Sequence, residues 1–172
     1  MPDPAYDALH PCFAWMRDYL GGAAPPGKLP GRRHIDPVDF RTVLGLVSLA
    51  EVRREADRLR FRFRLVGTTQ TSLAGREITG RWIEEAVVPE LAPRILANMT
   101  AAVERKRPVY DRFPMPYAGR KVIDTERIYF PLAADGETVD MLLILNGYPG
   151  NPELMPRAGL FATGSAPTSH WP

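Results

Sequence analysis

The sequence is poor in the residues that carry redox and metal chemistry. Its 172 residues include one cysteine, Cys12, and three histidines, His10, His34 and His170. A single cysteine cannot form an internal disulfide or a cysteine-based zinc site, and no two histidines stand at a metal-ligand spacing. We therefore expect no metal site, and a chain with so little cysteine fits a reducing, cytoplasmic location.

Long apolar runs and a large charge of one sign are also missing. No run of eighteen apolar residues predicts a transmembrane helix, and Met1-Pro2-Asp3-Pro4 lacks the basic-then-apolar pattern of a signal peptide. The net charge of +2, from 22 Lys+Arg and 20 Asp+Glu, argues against a dedicated nucleic-acid binder. There is no Gly-x-Ser-x-Gly, no glycine-rich phosphate loop and no Cys/His pair, so we predict no nucleophilic catalysis and no enzymatic activity.

The most regular pattern in the chain is a strict alternation of apolar and basic residues in the middle of the sequence. Successive side chains of a β-strand point to opposite faces. One face therefore carries the apolar residues Leu59, Phe61, Phe63 and Leu65, and the other carries Arg60, Arg62 and Arg64. The pattern ends at Val66-Gly67. We expect this strand to form one wall of a core.

The remaining pattern predicts helices and strands in a defined order. The predicted elements are an amphipathic helix over 6–20, a helix from Asp36-Pro37 to near Gly45, strands over 46–54 and from Leu59, short helical turns over 68–82, a helix over 89–106, and strands over 109–117, 121–133 and 138–146. Residues 1–27 are predicted to be an N-terminal helix and linker, 28–148 the folded domain, and 149–172 a flexible tail. The order indicates an α+β fold with an antiparallel sheet.

Four segments carry a resemblance to a known family. They are Pro30-Gly31-Arg32-Arg33-His34-Ile35-Asp36-Pro37, the Arg62–Thr68 segment ending in Val-Gly-Thr, Leu73–Arg81 with its Ile-Thr-Gly-Arg, and Phe130–Asp140 with its Pro-Leu-x-x-Asp-Gly. Over residues 28–148 the chain resembles stand-alone PAS-domain proteins of an alphaproteobacterial subfamily. The resemblance implies a PAS fold, with a five-stranded antiparallel sheet, helices on one side and an N-terminal helical extension. It also implies a sensory or interaction module that binds small molecules between sheet and central helix.

A small-molecule pocket is the functional site that this fold would offer. The predicted lining consists of Phe61, Phe63, Leu65, Trp82, Met99, Val103, Ile128, Phe130, Met141 and Leu143. The alternative is that these side chains simply fill a core, because protein interiors pack densely. If the pocket is open, its walls are mostly apolar and a flat or lipid-like ligand would suit it.

Two cofactors common among such domains are not supported by the sequence. Photoactive flavin needs a reactive cysteine on the central helices, whereas Cys12 lies far upstream. Haem needs an axial histidine, commonly on the long central helix, and the segment 89–106 contains none. The identity of any cofactor or ligand is therefore left open.

The output of such a module would occur in trans, through a signalling partner or through a homodimer. The apolar stripe Leu9, Phe13, Met16 and Leu20 of the first helix is the predicted dimerisation surface. The same stripe could instead fold back over its own sheet. Both arrangements satisfy its apolar spacing.

Two other classes of function stay open at this stage. A small enzyme of ketosteroid-isomerase-like cone fold would need an acid/base pair in its pocket, drawn from Asp111, Asp124, Asp140, Tyr110 and Tyr129. An RNA-binding surface would use Arg60, Arg62 and Arg64, although the phenylalanines between them are expected on the opposite face.

Overall fold

The protein folds around one antiparallel sheet that is covered by helices on both faces. A computed structural model describes residues 9–117, 121–161 and 171. The strands are β1 (Val47–Arg54), β2 (Leu59–Val66), β3 (Val109–Pro116), β4 (Val122–Leu132) and β5 (Met141–Gly147). The α-helices are α1 (Pro11–Ala23), α2 (Thr68–Ala74), α3 (Ile83–Ala86) and α4 (Ala92–Arg105). Short 3-10 helices occupy Arg32–His34, Leu44–Leu46, Pro152–Leu154 and Ala158–Phe161.

The five strands lie in the order β2-β1-β5-β4-β3, and every neighbouring pair is antiparallel. Helices α2, α3 and α4 follow β2 in the chain and cover one face of the sheet, which we call the inner face. This is the predicted five-stranded α+β architecture, and the predicted β1–β2 hairpin is confirmed by its register.

Helix α1 covers the opposite face, which we call the outer face. His10 begins the helix, because its Nδ1 accepts a hydrogen bond from the Cys12 amide at 3.2 Å and Pro11 occupies the first turn. Of the predicted stripe, Phe13, Met16 and Leu20 are fully buried against the chain's own strands, and Leu9 is half-buried beside them. In this structure the stripe therefore folds back over its own sheet.

The segment that begins at Asp36-Pro37 is not the predicted helix. It forms consecutive turns over 37–43 that lead into the 3-10 helix at Leu44–Leu46. The Asp36 side chain accepts the Val38 amide at 2.9 Å, as a capping acid does. The following backbone bonds span three residues, as from the Val43 amide to the Phe40 carbonyl, so the chain turns more tightly than an α-helix.

Part of the predicted tail also packs on α1. Phe161 is buried and lies 5.6 Å from the Trp15 ring, and His10 Nε2 lies 2.9 Å from the Pro156 carbonyl oxygen. Trp171 stacks on Phe130 with ring centroids 5.8 Å apart. Residues 162–170 and 172 lie outside the described residues. In the described ranges, no helix has the length and apolar character that crossing a membrane requires.

Candidate ligand-binding site

A cavity of about 400 Å³ lies between the inner face of the sheet and the helices. Its apolar wall consists of Phe63, Ala74, Ile78, Ile83, Ala86, Val87, Val88, Pro89, Ile95, Met115, Pro116 and Ile144. Its polar wall consists of Ser48, Gln70, Arg76, Tyr117, Arg127, Tyr129 and Asn146. Two arginines line the cavity, and no aspartate or glutamate occurs among its described lining residues. Its electrostatic character is therefore basic.

The polar wall begins where α2 approaches β1. Gly67 lets the start of α2 lie close to the 3-10 helix Leu44–Leu46 that leads into β1, because a Cβ atom at Gly67 would lie 2.3 Å from the Gly45 carbonyl oxygen. On the resulting helix, the Gln70 side chain accepts a hydrogen bond from Ser48 and donates one to the Leu46 carbonyl at 3.3 Å. The amide of Asn146 donates to the same carbonyl at 3.1 Å. These side chains satisfy one another and form a fixed edge of the cavity.

Arg127 of β4 is a buried cation in this wall. Its relative exposure is 7%, and its Nε atom has no hydrogen-bond partner. The guanidinium carbon lies 4.9 Å from the Phe113 ring, a cation–π contact that supplies no negative charge. Within the described part of the chain, Arg127 forms no ion pair.

Tyr129 lies two residues further along β4 on the same face. Its hydroxyl is buried near Arg127 and Asn98, and neither contact has the geometry of a hydrogen bond. Burial raises the pKa of Tyr129, and the nearby Arg127 charge opposes that rise only in part. The phenol therefore keeps its proton near neutral pH and is a free hydrogen-bond donor.

Arg76 lies at the solvent-exposed side of the cavity. Its Nη2 atom donates to the carbonyl oxygens of Glu85 at 3.0 Å and Ala86 at 3.2 Å, at the end of α3. These bonds hold a second positive charge beside the opening. They also fix the position of α3 over the cavity.

Four of the ten predicted lining residues lie between the inner face of the sheet and the helices. Phe63 lines the cavity itself, whereas Phe61, Met99 and Val103 pack in the adjoining core. The inner face is therefore partly filled and partly open.

Four other predicted residues lie on the outer face of the sheet. Ile128, Phe130 and Leu143 are fully buried beneath α1, and Met141 packs at the edge of the same cluster. Their predicted position on the inner face is therefore wrong. From Ile128 to Leu132 in β4 and from Met141 to Leu145 in β5 both faces are apolar, so the sequence there does not distinguish the face under α1 from the face under α4.

Leu65 and Trp82 also lie outside the cavity, each for its own reason. Leu49 pairs with Leu65 and Ala50 with Phe63, so Arg64 is an extra residue in β2. This β-bulge reverses the alternation, and Leu65 points to the outer side with 38% exposure. Trp82 bridges to Arg62 and lies 3.9 Å below the guanidinium of Arg60, on the basic face.

Apart from Tyr129, which the sequence offered as an acid/base candidate, the polar wall of the cavity was not predicted. Ser48 and Asn146 each interrupt an apolar run, Arg127 ends the polar half of β4 just before its apolar run, and Gln70 follows the Val-Gly-Thr motif. A polar residue inside a strand that is buried on both faces has to find a partner or a ligand. Such a polar residue at a buried strand position is the sequence signal that could have indicated the cavity wall.

The carboxylates that an enzyme would need are used elsewhere. Asp111 is held by Arg94 at 2.7 Å and by Asn98 at 2.5 Å, and Asp124 pairs with Arg112 at the surface. Asp140 is exposed, and Tyr110 donates to Glu126 at 3.2 Å. The described residues also contain no cluster suited to a metal ion. The cone-fold enzyme receives no support.

The arginines of β2 are likewise engaged within the chain. Arg60 contacts Glu55 and Glu84, Arg62 Nε donates to the Gly80 carbonyl at 2.6 Å, and Arg64 lies 3.7 Å from Glu51. Phe61 and Phe63 are buried on the opposite face. The RNA-binding surface therefore receives no support either.

A five-stranded antiparallel sheet whose helices enclose a cavity on one face places the protein in a class of small α+β domains. Within this class the chain belongs to the PAS domain family, whose family model matches residues 10–145. The match begins at α1 and so includes the helix that covers the outer face. PAS domains are a family of sensory modules that are generally non-enzymatic.

Comparison with solved structures shows the same fold at low sequence identity. A light-oxygen-voltage domain studied with a flavin analogue has a TM-score of 0.51 at 12% identity, over 68% of this chain and 86% of that one. The VqmA–ligand–DNA complex of Vibrio cholera has 0.50 at 12%, over 67% and 52%. The chain thus spans about half the length of VqmA.

A PAS domain from Colwellia psychrerythraea matches with a TM-score of 0.49 at 13% identity, over 66% of this chain and 97% of that one. Comparison with curated proteins gives no match.

Proposed function

We propose that this protein is a stand-alone, cytoplasmic regulatory module of the alphaproteobacterial PAS subfamily that binds a small molecule between its sheet and helices. The cavity of about 400 Å³ carries this proposal. Ligand sites in proteins commonly measure about 300–1,000 Å³ and combine apolar walls with a few convergent polar groups. This cavity has both features.

The distribution of polar groups supports binding over a mere packing defect. Empty cavities in proteins are typically apolar, whereas polar cavities hold water or ligands. Here the Nε atom of the buried Arg127 guanidinium and the hydroxyl of Tyr129 both lack hydrogen-bond partners among the described residues. VqmA, whose PAS-like fold this chain shares, has been solved with a ligand, which agrees with a ligand-binding role for the fold.

Native mass spectrometry of the full chain, purified from its own host, tests the proposal. We expect a retained small molecule on the folded protein. The variant Ala74→Phe, which places an aromatic ring in the cavity wall, should lose that molecule. Ala97→Phe, at an exposed position on α4, should keep it. A wild-type protein that carries no molecule, or equal retention by both variants, would count against the proposal.

We further propose that the module signals in trans, through a partner protein and without enzymatic activity. Dimerisation through Leu9, Phe13, Met16 and Leu20 stays a prediction. Because the last three pack on the chain's own sheet, a dimer through this stripe would require α1 to leave that sheet. Light scattering of the full chain measures its mass. A mass of one chain across the accessible concentration range would contradict the dimer.

A further inference from the structure

We infer that the ligand of this cavity is an organic acid whose carboxylate pairs with Arg127. The inference rests on the proposed function and specifies the chemistry of the same site. It starts from Arg127, which is a buried guanidinium with 7% exposure and no ion pair within the described residues. An uncompensated buried charge is among the most destabilising features a folded chain can hold. A bound anion would supply the missing charge.

The neighbouring carboxylates are already committed to other groups. Asp111 faces Arg127 across β3 and β4, but its two oxygens are held by Arg94 at 2.7 and 2.5 Å and by Asn98. Glu126 precedes Arg127 in β4 and so points to the outer face, where Tyr110 donates to it. Neither residue lines the cavity. Among the described residues no carboxylate is left to balance Arg127, and we expect its counter-charge from a bound ligand.

The other free polar groups in the cavity wall suit an anion as well. The Tyr129 phenol keeps its proton and has no hydrogen-bond partner, so it can donate to an oxygen placed beside Arg127. Arg76 brings a second positive charge to the opening. The acceptor oxygen of Gln70 is occupied by Ser48. The unsatisfied groups of the wall that we identify are thus hydrogen-bond donors.

The shape of the charge favours a carboxylate. A guanidinium forms a planar, bidentate pair with a carboxylate, and one buried arginine matches one negative charge. The apolar wall, with Phe63, Ile95, Met115 and Ile144 among its members, would hold an apolar body attached to that carboxylate. The ligand class is therefore a compact organic acid with a hydrocarbon or aromatic body.

Thermal unfolding with matched acids and amides tests the inference on the full chain. The probes are benzoate, 3-phenylpropionate and 5-phenylvalerate, each beside its neutral primary amide. We expect at least one acid to raise the unfolding midpoint, since binding to the native state alone stabilises it. Its amide should bind about tenfold or more weakly, because a hydrogen bond to a charged group is lost.

Variants at two arginines show which residue makes the protein bind an acid more tightly than its amide. Arg127→Met should abolish the difference between acid and amide, and Arg127→Lys should keep part of it because the charge remains. Arg112→Met removes an exposed arginine of the neighbouring strand β3 and should behave as wild type. If Arg127→Met fails to fold, Arg127→Lys and the probe pairs on wild type still decide the matter.

The possible outcomes separate this inference from the proposed function. Equal effects of acid and amide that Ala74→Phe removes would support a ligand cavity and overturn the assignment of an acid. An acid effect that survives in Arg127→Met would also overturn it. If no acid in the series shifts the midpoint, the inference fails, and native mass spectrometry tests the cavity independently.

Discussion

The same strands form both faces of the sheet, but the two faces are packed differently. On the outer face, Phe13 and Met16 of α1 pack against Ile128 and Leu145, and all four side chains are fully buried. On the inner face, Arg127 and Asn146 interrupt the apolar surface beside a cavity of about 400 Å³. The comparison indicates that the outer face is filled by packed apolar side chains, whereas the inner face leaves a cavity with polar groups in its wall.

The difference arises from neighbouring positions in the strands. Ile128 points to α1 and Arg127 to the cavity, and Leu145 and Asn146 divide in the same way. Because side chains alternate, each strand can serve both purposes with no change in its backbone. A shift of register by one residue would place Arg127 and Asn146 under α1 and would line the cavity with apolar side chains instead. The register is therefore strongly specified.

Two phenylalanines give the largest expected difference between the faces. Phe13→Ala would empty a densely packed site, and its cost in unfolding free energy should be about 3–5 kcal/mol. Phe63→Ala would only enlarge an existing cavity, so its cost should be smaller by about 1 kcal/mol or more. Urea unfolding of both variants measures the difference. Equal costs would show that the inner face is packed as densely as the outer one.

Arg127→Met should act in the opposite direction. Removing an unpaired buried charge in favour of an apolar side chain should stabilise the ligand-free protein, by roughly 1–4 kcal/mol. Arg112→Met, at an exposed ion pair with Asp124, should change stability by less than about 1 kcal/mol. Thermal and urea unfolding without ligand give both values. A strong loss of stability in Arg127→Met would mean that Arg127 is a structural residue with its charge already balanced.

The fold was largely predictable from the sequence, and the site was not. The alternation at Phe61 and Phe63, with the turn signals between segments, predicts five strands in their observed order. Leu65 and Ile128 were predicted in the correct strands but on the wrong face of the sheet. A bulge at Arg64 and an outer face as apolar as the inner one cannot be read from single-strand periodicity. Both depend on which helix covers which face.

Gly147 controls how closely α1 approaches the outer face. A Cβ atom there would lie 2.7 Å from the Phe13 ring and 2.8 Å from Cγ of Glu126. Gly147→Ala should therefore push α1 outward and cost about 1–3 kcal/mol. Gly159→Ala, with open space around it, is the matched control.

The thiol of Cys12 reports on this displacement. Cys12 lies in the first turn of α1 and is fully buried, and burial raises the pKa of its thiol to about 12. It should react slowly with a disulfide reagent in the wild type and in Gly159→Ala, and faster in Gly147→Ala, because the thiolate is the reactive form. Equal rates in all three proteins would show that α1 accommodates the added methyl group without moving.

Glu126 gives the smallest expected effect. It is a buried carboxyl group on the mostly apolar outer face. Burial raises the pKa of its carboxyl group, although the hydrogen bond from Tyr110 opposes the rise. A carboxyl whose pKa is higher in the folded state lowers stability once it is ionised, so this cost is present at neutral pH. It disappears as the pH falls below the unfolded value of about 4.3.

Glu126→Gln should therefore stabilise the protein slightly at pH 7, since the amide oxygen can still accept from Tyr110. The gain should shrink as the pH is lowered toward 4. Glu104→Gln, at an exposed position on α4, should show neither the gain nor its pH dependence. Urea unfolding between pH 4 and 7 measures both variants. A gain that is constant over this range would place the effect in packing rather than in the charge. In that case the ionised Glu126 would carry no electrostatic cost, and the outer face would differ from the inner face in this respect as well.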